Sequence, residues 1–156
     1  MKAYPDTSFL CAYYLQGVNT ETALAYFDAY QPPLRISWMV QFEFVNGVRF
    51  EAFRNSADRT KGFSLGLAMG TLLDFENDIS AGLVEIVEFD SREVRRIAEE
   101  LSEKYSTGGG HRSFDVLHVA TAIHFGAGEF LTFDGNQRKL AEAVGLRVPF
   151  QRVIAL

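Results

Sequence analysis

The sequence predicts an α/β fold in which a central parallel β-sheet is covered by helices on both faces. Short segments of β-forming residues alternate with longer segments of helical periodicity, and this alternation is typical of parallel sheets. Five segments qualify as strands, so we expect a three-layer α/β/α sandwich with four to five strands. One domain covering residues 1–156 accounts for the length, which is sufficient for a sizeable core.

Local signals define the first three elements. Lys2–Tyr4 is predicted to be a short strand that ends at Pro5, because proline cannot donate a ladder hydrogen bond. The next segment, Thr7–Gln16, has the apolar face of a helix. A second helix is predicted over Thr20–Tyr30, with Asn19 at the start of its capping segment.

The middle of the sequence follows a predicted break at Pro32-Pro33. Leu34–Ser37 is predicted to be a second strand. Trp38–Phe53 is predicted to be a long helix, and because it is apolar nearly all round, we expect it to be largely buried. Another helix is predicted over Ala57–Asp78, and close packing of a neighbouring element is expected to compensate for its glycines. These glycines lie four residues apart, at Gly62, Gly66 and Gly70.

The last third of the sequence repeats the alternation of strands and helices. Asp90-Ser91 is predicted to cap a helix whose charged residues face outward, and Thr107–Gly110 is predicted to be a flexible loop. The remaining predicted strands are Leu83–Phe89, Glu129–Thr132 and Leu146–Val148. The remaining predicted helices are Arg92–Tyr105, Ser113–Phe125 and Asn136–Val144.

Composition limits the functional classes. The formal charge of −5 argues against a general nucleic-acid coat protein, because phosphate affinity comes mainly from Lys and Arg. A single cysteine, Cys11, cannot form an internal disulfide, so a reduced cytoplasmic protein is expected. There is no secretory segment before Pro5, and no apolar run is long enough to cross a membrane. Basic residues that could contact backbone phosphates are Arg49, Arg54, Arg59, Lys61, Arg112, Arg138 and Lys139.

Four acidic residues have apolar neighbours and are therefore expected near the core: Asp6, Glu43, Asp115 and Asp134. Isolated carboxylates are costly to ionise there, whereas a shared divalent cation stabilises them together. Taken singly, the three aspartates are explained about equally well as residues that stabilise helix N-termini. Glu43 lies within a helix, where a salt bridge to a basic residue is the alternative.

The joint pattern favours a metal site. Asp6 and Asp134 follow predicted strands, and ligands of open parallel sheets bind beyond the carboxyl ends of the strands. Asp115 can point into the same crevice from the first turn of its helix. Carboxylate oxygens suit Mg²⁺ or Mn²⁺, so a metal-dependent phosphodiesterase is the predicted class.

The segments around these residues resemble the four acidic motifs of PIN domains, in the family's order and across nearly the whole chain. They are Tyr4-Pro5-Asp6-Thr7-Ser8, Phe42-Glu43, Ser113-Phe114-Asp115 followed by His118-Val119-Ala120, and Leu131-Thr132-Phe133-Asp134. The size is similar to that of single-domain VapC-type toxins of toxin–antitoxin pairs. One departure is Pro5, where an apolar strand residue is more usual.

The resemblance implies an endoribonuclease that depends on Mg²⁺ or Mn²⁺. Such proteins are usually homodimers, and a small antitoxin inhibits them by laying its tail across the acidic site. The aspartates would hold one or two cations, and Glu43 would orient the water that hydrolyses an RNA phosphodiester. The implied catalytic and metal-binding residues are Asp6, Glu43, Asp115 and Asp134. Residues implied to support them by hydrogen bonds are Thr7 or Ser8, and Asn136.

Other classes fit the residues less well. A haloacid-dehalogenase-like phosphatase needs a second aspartate two residues after the first, where this sequence has Ser8. Gly108–Gly110 lacks the Gly-Lys-Ser/Thr of a phosphate loop. The histidines lack metal-ligand spacing, although His118 shares a helix face with Asp115 and is a candidate partner for it. The remaining alternative is a PIN-like interaction or RNA-processing protein that acts mainly by binding partners.

Overall fold

The computed structural model describes residues 1–30 and 33–150, and its parallel strands and flanking helices confirm the predicted α/β class. Pro32, part of the predicted chain break, lies outside the described residues. The strands are β1 (Ala3–Pro5), β2 (Leu34–Ile36), β3 (Val84–Ile86) and β4 (Glu129–Leu131). The helices are α1 (Thr7–Tyr14), α2 (Thr20–Tyr30), α3 (Trp38–Ala57), α4 (Leu65–Ser80), α5 (Ser91–Leu101), α6 (Thr107–Gly109), α7 (Ser113–His124) and α8 (Gly135–Ala143).

The strands form two parallel pairs. β1 pairs with β4, with Tyr4 opposite Phe130, and β2 pairs with β3, with Arg35 opposite Glu85. β1 also lies beside β2, so the strand order across the domain is β3, β2, β1, β4. The predicted final strand, Leu146–Val148, is reduced to one parallel bridge between its central arginine and the start of β4.

Pro5 is the last residue of β1, so the strand extends one residue further than predicted. The N–H of the next residue, Asp6, donates to the carbonyl oxygen of Leu131 at 3.0 Å. Because alternate residues of a parallel strand bond to the same neighbour, the proline position faces away from β4. Its missing N–H therefore breaks no bond to β4, and Asp6 is placed directly beyond the strand end.

Aromatic side chains hold the sheet and helices together. Tyr4 on β1 and Phe130 on β4 stack at 6.0 Å, while Phe44 of α3 meets Phe75 of α4 at 5.0 Å. All four are 0–1% exposed, and burial of such a side chain stabilises the fold by about 1.5–3 kcal/mol. Within the described ranges, no helix has the length and apolar character needed to span a membrane.

The predicted helix Ala57–Asp78 is wrong in its first part. α3 runs on to Ala57, residues 58–64 form a turn, and α4 starts at Leu65. Asp58 directs the turn by accepting a hydrogen bond from the Thr60 N–H at 3.0 Å. Gly62 has a φ of 57° and leaves no room for a Cβ beside the backbone of α3, so this glycine serves the turn.

The segment Thr107–Gly110, predicted to be a flexible loop, continues a helix. α5 passes through a π-helical turn, residues 102–106, into α6, and the helix ends at Gly110 with a φ of 64°. A Cβ at Gly109 would collide with the imidazole of His111. This glycine is therefore explained by the close approach of the ring, and the loop prediction was wrong.

The expectation that α3 is largely buried was also wrong. One face of this helix packs in the core through residues such as Phe44 and Val48. The opposite face is open to solvent, and together with the first half of α4 it exposes a series of large apolar side chains. They are Trp38, Phe42, Phe50, Phe53, Leu65, Leu67 and Met69.

Candidate active site

A cavity of about 640 Å³ opens where β1 and β4 end and α1, α3, α7 and α8 meet. Glu43, Asp115 and Asp134 line this cavity together. Ser8 also lines it, and the Ser8 hydroxyl is hydrogen-bonded to the buried carboxylate of Asp6. The fold therefore brings three of the four predicted acidic residues to one cavity and places the fourth directly behind its wall.

Asp6 is the N-cap of α1 and has no exposed surface. Its Oδ1 accepts hydrogen bonds from the Phe9 N–H at 3.0 Å and the Ser8 hydroxyl at 2.7 Å, and its Oδ2 accepts one from Thr132 at 2.5 Å. Burial raises the pKa of Asp6 to about 6, although these three donors oppose the rise. The carboxylate thus caps α1, and its hydrogen bonds fix it in place beside the cavity.

Glu43 projects from the second turn of α3, where it bonds to two other elements. Its Oε2 accepts a hydrogen bond from the Thr7 hydroxyl on α1 and lies 2.9 Å from His118 Nε2 on α7. Burial raises the pKa of Glu43, but these two hydrogen bonds outweigh it, so the pKa lies below its usual value. Glu43 is accordingly a fixed carboxylate that is ionised at neutral pH.

Asp115 lies in the first turn of α7 and faces the start of α8. Its Oδ2 accepts a hydrogen bond from the Arg112 N–H at 2.9 Å, which caps the helix. The side-chain amide of Asn136 donates to the same oxygen at 3.4 Å and to the carbonyl of Gly110. Asn136 therefore links the start of α8 to Asp115 of α7 and to the end of α6.

Asp134 is the N-cap of α8 and is exposed. Its Oδ1 accepts hydrogen bonds from the N–H groups of Asn136 at 2.7 Å and Gln137 at 2.9 Å. The Oδ2 atom is the natural candidate for binding a ligand from solvent, since both bonds use the other oxygen. The N-cap role considered from the sequence is present here, in a residue that also lines the cavity.

The donor chemistry of the cavity fits a hard divalent cation, since its acidic wall offers carboxylate oxygens. Among the residues that the structure describes, however, no three His, Cys, Asp or Glu side chains are close enough to form a ready metal site. Thr7 and His118 share one oxygen of Glu43, and the helix N-termini bond to the aspartates. Binding a cation thus requires the carboxylates to draw together around it.

Among the described residues that line the cavity, Arg112 is the one with a positive charge, and it lies next to Asp115. Two of the other basic residues proposed to contact phosphates form ion pairs away from the cavity. Arg54 pairs with Glu51 and Lys61 pairs with Asp58, both outside the cavity. Arg112 is therefore the strongest of the proposed phosphate contacts.

His118 was predicted to be a candidate partner of Asp115, but it bonds to Glu43 instead. Asp115 points out from the start of α7, while His118, one turn later, is fully buried and faces α3. Glu43 thus has a histidine partner, where the sequence suggested a salt bridge to a basic residue.

Two residues of the site had no role in the sequence analysis. Thr132 has no exposed surface, and its hydroxyl donates to Asp6 while it accepts from the Asp134 N–H at 2.9 Å. Gln137 is 7% exposed and lines the cavity, and its Oε1 has no hydrogen-bond partner within the described part of the chain. Two features of the sequence could have indicated these residues. Thr132 is a polar residue that directly follows the apolar part of a predicted strand, and Gln137 lies one helical turn after Asp134.

The chain is similar in fold to several solved structures. VapC20 of Mycobacterium tuberculosis, a sarcin-ricin loop cleaving toxin, matches with a TM-score of 0.64 and 18% identity over 94% of this chain and 97% of that one. FitAcB from Neisseria gonorrhoeae matches with a TM-score of 0.64 and 18% identity over 90% and 93%. A toxin–antitoxin complex from Klebsiella pneumoniae matches with a TM-score of 0.61 and 17% identity over 96% and 99%.

The sequence comparisons point to one family. No curated protein matches the chain in sequence. The family model of the PIN domain matches residues 3–143, a span that includes all four acidic residues and both parallel strand pairs. The chain therefore belongs to the PIN domain family.

Proposed function

We propose that this chain is an endoribonuclease that depends on Mg²⁺ or Mn²⁺ and serves as the toxin of a type II toxin–antitoxin pair. The observation that carries the proposal is the cavity at the strand ends, where Glu43, Asp115 and Asp134 meet with Asp6 directly behind. All four carboxylates lie at or directly behind this one cavity, and carboxylate oxygens are the ligands that a hard divalent cation prefers.

The residues proposed to hold the cation are Asp6, Glu43, Asp115 and Asp134. A bound divalent cation would lower the pKa of a water molecule and stabilise negative charge on a phosphodiester. Asp6 can join the site because its pKa of about 6 leaves it mostly ionised at neutral pH. The hydroxyls of Ser8, which lines the cavity, and of Thr132 fix its two oxygens directly behind the cavity wall.

The proposed reaction is hydrolysis of an RNA phosphodiester. The oxygen of a water molecule bonds to phosphorus, the bond from phosphorus to one ribose oxygen breaks, and that oxygen takes up a proton. Glu43 is suited to orient the water because His118 and Thr7 fix its carboxylate and keep it ionised. Arg112, at the rim, is suited to bind a phosphate of the same strand.

Fold similarity supports the proposed partners. Matched structures include a toxin–antitoxin complex from Klebsiella pneumoniae and VapBC2 from Rickettsia felis bound to a DNA fragment from their promoter, with 17% identity each. We therefore propose a homodimer that a small antitoxin inhibits by laying its tail across the acidic cavity. The exposed apolar side chains of α3 and α4 provide surface for such contacts.

The test is cleavage of a mixed pool of tRNA and ribosomal RNA by the purified full chain. Reactions contain Mg²⁺, Mn²⁺ or EDTA, and Asp115→Asn serves as the control for contaminating nucleases. We expect discrete fragments that require both the metal and Asp115. Cleavage that persists in EDTA or in the Asp115→Asn variant would refute the assignment.

Absence of cleavage, together with absence of metal binding, would instead favour the second hypothesis, a PIN-like protein that acts by binding partners. Metal binding is measured on the same samples as the change in thermal midpoint with Mn²⁺.

A further inference from the structure

Gln137 lines the acidic cavity and carries a buried acceptor without a partner among the described residues. The residue is 7% exposed, and its Oε1 has no hydrogen-bond partner within the described residues. Burying an amide oxygen without a partner is unfavourable, so few such atoms remain in folded proteins. A donor that arrives with a ligand would explain the position of this side chain.

The backbone of Gln137 is fixed relative to the acidic residues. Its N–H donates to Asp134 Oδ1 at 2.9 Å, and the residue lines the same cavity as Glu43 and Asp115. The terminal torsion of a glutamine side chain is soft, so a modest rotation turns the oxygen toward the cavity when a donor is present. Gln137 therefore lies in the first turn of α8, next to Asp134, one of the residues proposed to bind the cation.

Among the sugar and phosphate groups of nucleic acids, the ribose 2′-hydroxyl is the group that can donate. Phosphate oxygens only accept hydrogen bonds, whereas the ribose 2′-hydroxyl also donates, and DNA lacks this group. We propose that Gln137 is a specificity-determining residue that accepts a hydrogen bond from the ribose 2′-hydroxyl beside the scissile phosphate and thereby favours RNA over DNA. This inference rests on the nuclease function proposed above.

Arg112, the basic residue that lines the cavity, cannot make the protein prefer RNA over DNA. A guanidinium binds phosphates, which RNA and DNA share. The Thr7 and Ser8 hydroxyls, which also line the cavity, already bond to Glu43 and Asp6. Gln16 and Asn19 line it from the segment between α1 and α2, and Phe133 has no side-chain hydrogen-bonding group. The acidic residues are assigned to the cation, so Gln137 is the group best suited to read the sugar.

The experiment uses three random-sequence oligonucleotide pools with ribose, 2′-fluoro-ribose or deoxyribose sugars. The 2′-fluoro group retains an RNA-like sugar pucker but cannot donate a hydrogen bond. Cleavage of each pool with Mn²⁺ is compared for the full-length wild type, Gln137→Met and Gln137→Glu. Methionine has a similar size without the amide, whereas glutamate keeps an acceptor at the same position.

We expect the wild type to cleave the ribose pool faster than the 2′-fluoro pool by about 3- to 10-fold, the effect of one neutral hydrogen bond. Gln137→Met should lose this preference by slowing on ribose alone. Gln137→Glu should retain the preference, although its added charge lowers both rates. The thermal midpoint of each variant shows that it is folded.

Two results would overturn the inference while leaving the nuclease function intact. One is a wild type that cleaves ribose and 2′-fluoro pools equally, a comparison that requires no variant. The other is a Gln137→Met variant that slows equally on both pools, which indicates a structural role. Failure of the nuclease proposal itself would differ from both, since no pool would then be cleaved by the wild type in the presence of metal.

Discussion

His118 Nε2 lies 2.9 Å from Glu43 Oε2, a contact between residues 75 positions apart in the sequence that joins α7 to α3. The imidazole has no exposed surface, whereas the carboxylate is 38% exposed and lines the acidic cavity. A buried histidine is therefore hydrogen-bonded to a carboxylate that is partly exposed to solvent. It fixes the direction of the Glu43 carboxylate, and it helps to hold the pKa of Glu43 below its usual value.

Replacing His118 by leucine is expected to lower RNA cleavage by about 10- to 100-fold, the usual effect of losing a hydrogen bond to an active-site ligand. The pKa of Glu43 should rise because one of its two donors is lost. Since Glu43 must be ionised, the acidic limb of the pH–rate profile should move to higher pH. His118→Gln, which can still donate to Glu43, should shift the limb less. An unchanged acidic limb in the leucine variant would contradict this role.

Asp6 is expected to make the metal-free protein less stable as the pH rises. Burial raises its pKa from the ordinary value of 3.8 to about 6, so the folded state favours the protonated carboxyl group. The stability that Asp6 contributes is therefore fully present below pH 3.8 and is lost as the pH rises through about 6. At neutral pH the loss is on the order of 3 kcal/mol, since one pKa unit is worth about 1.4 kcal/mol.

Urea unfolding in EDTA at several pH values tests this expectation with Asp6→Asn, which cannot ionise. The free energy of unfolding of the variant, relative to wild type, should increase between pH 4 and pH 7. Asp74→Asn, an exposed substitution on α4, is the matched control and should show no such trend. A pH-independent difference between Asp6→Asn and wild type would show that Asp6 is not strained by its burial.

The positions of the acidic residues followed from sequence because strand ends and helix starts are local signals. Asp6 and Asp134 were expected at strand ends, and both lie there as N-caps. The partners of these residues could not be predicted. Thr132 and Asp6 are 126 residues apart, and only the pairing of β1 with β4 brings them together.

The errors in the predicted elements also arise from contacts that the sequence does not reveal. Periodicity alone suggested a helix across residues 57–64, whereas the turn depends on Asp58 and on the close packing of Gly62 against α3. The glycines at positions 108–110 resembled a flexible loop because the contact of His111 with Gly109 is not visible in the sequence. Local propensity was overridden in both places by side chains that pack or bond at short range.

Thr132 is expected to support two acidic residues at once. Its hydroxyl donates to Asp6 Oδ2 and accepts from the N–H of Asp134. Thr132→Val keeps the shape but removes both bonds, so we expect a loss of about 1–3 kcal/mol in the free energy of unfolding and a clear loss of cleavage. The same change at Thr121, whose buried hydroxyl donates to the Leu117 carbonyl, should spare cleavage. Equal activity losses in the two variants would indicate a general packing effect.

Divalent cations are expected to stabilise the folded protein through the acidic cavity. At a Mn²⁺ concentration 100 times the dissociation constant, the gain is about 2.7 kcal/mol, seen as a higher thermal midpoint. Asp115→Asn should lose most of this gain, whereas Asp74→Asn, on the outside of α4, should keep it. Equal gains in both variants would mean that the cation binds elsewhere.

The exposed groove between α3 and α4 is expected to hold a second copy of the chain. This groove, the α3–α4 groove, has a volume of about 460 Å³ and a mainly apolar lining. Phe53, Leu65 and Met69 line this groove and are each 64–67% exposed. Large exposed apolar surfaces of this kind are rare on monomers.

Phe53→Asp should therefore convert a dimer to a monomer, because association would bury an unpaired charge in an apolar contact. Sedimentation equilibrium measures the change. Leu24→Asp, an exposed substitution on α2, is the matched control and should leave the dimer intact. Dimerisation that survives Phe53→Asp would place the interface elsewhere. A wild-type chain that is monomeric at every concentration would leave the groove available to the proposed antitoxin, because its apolar side chains would still lack a partner.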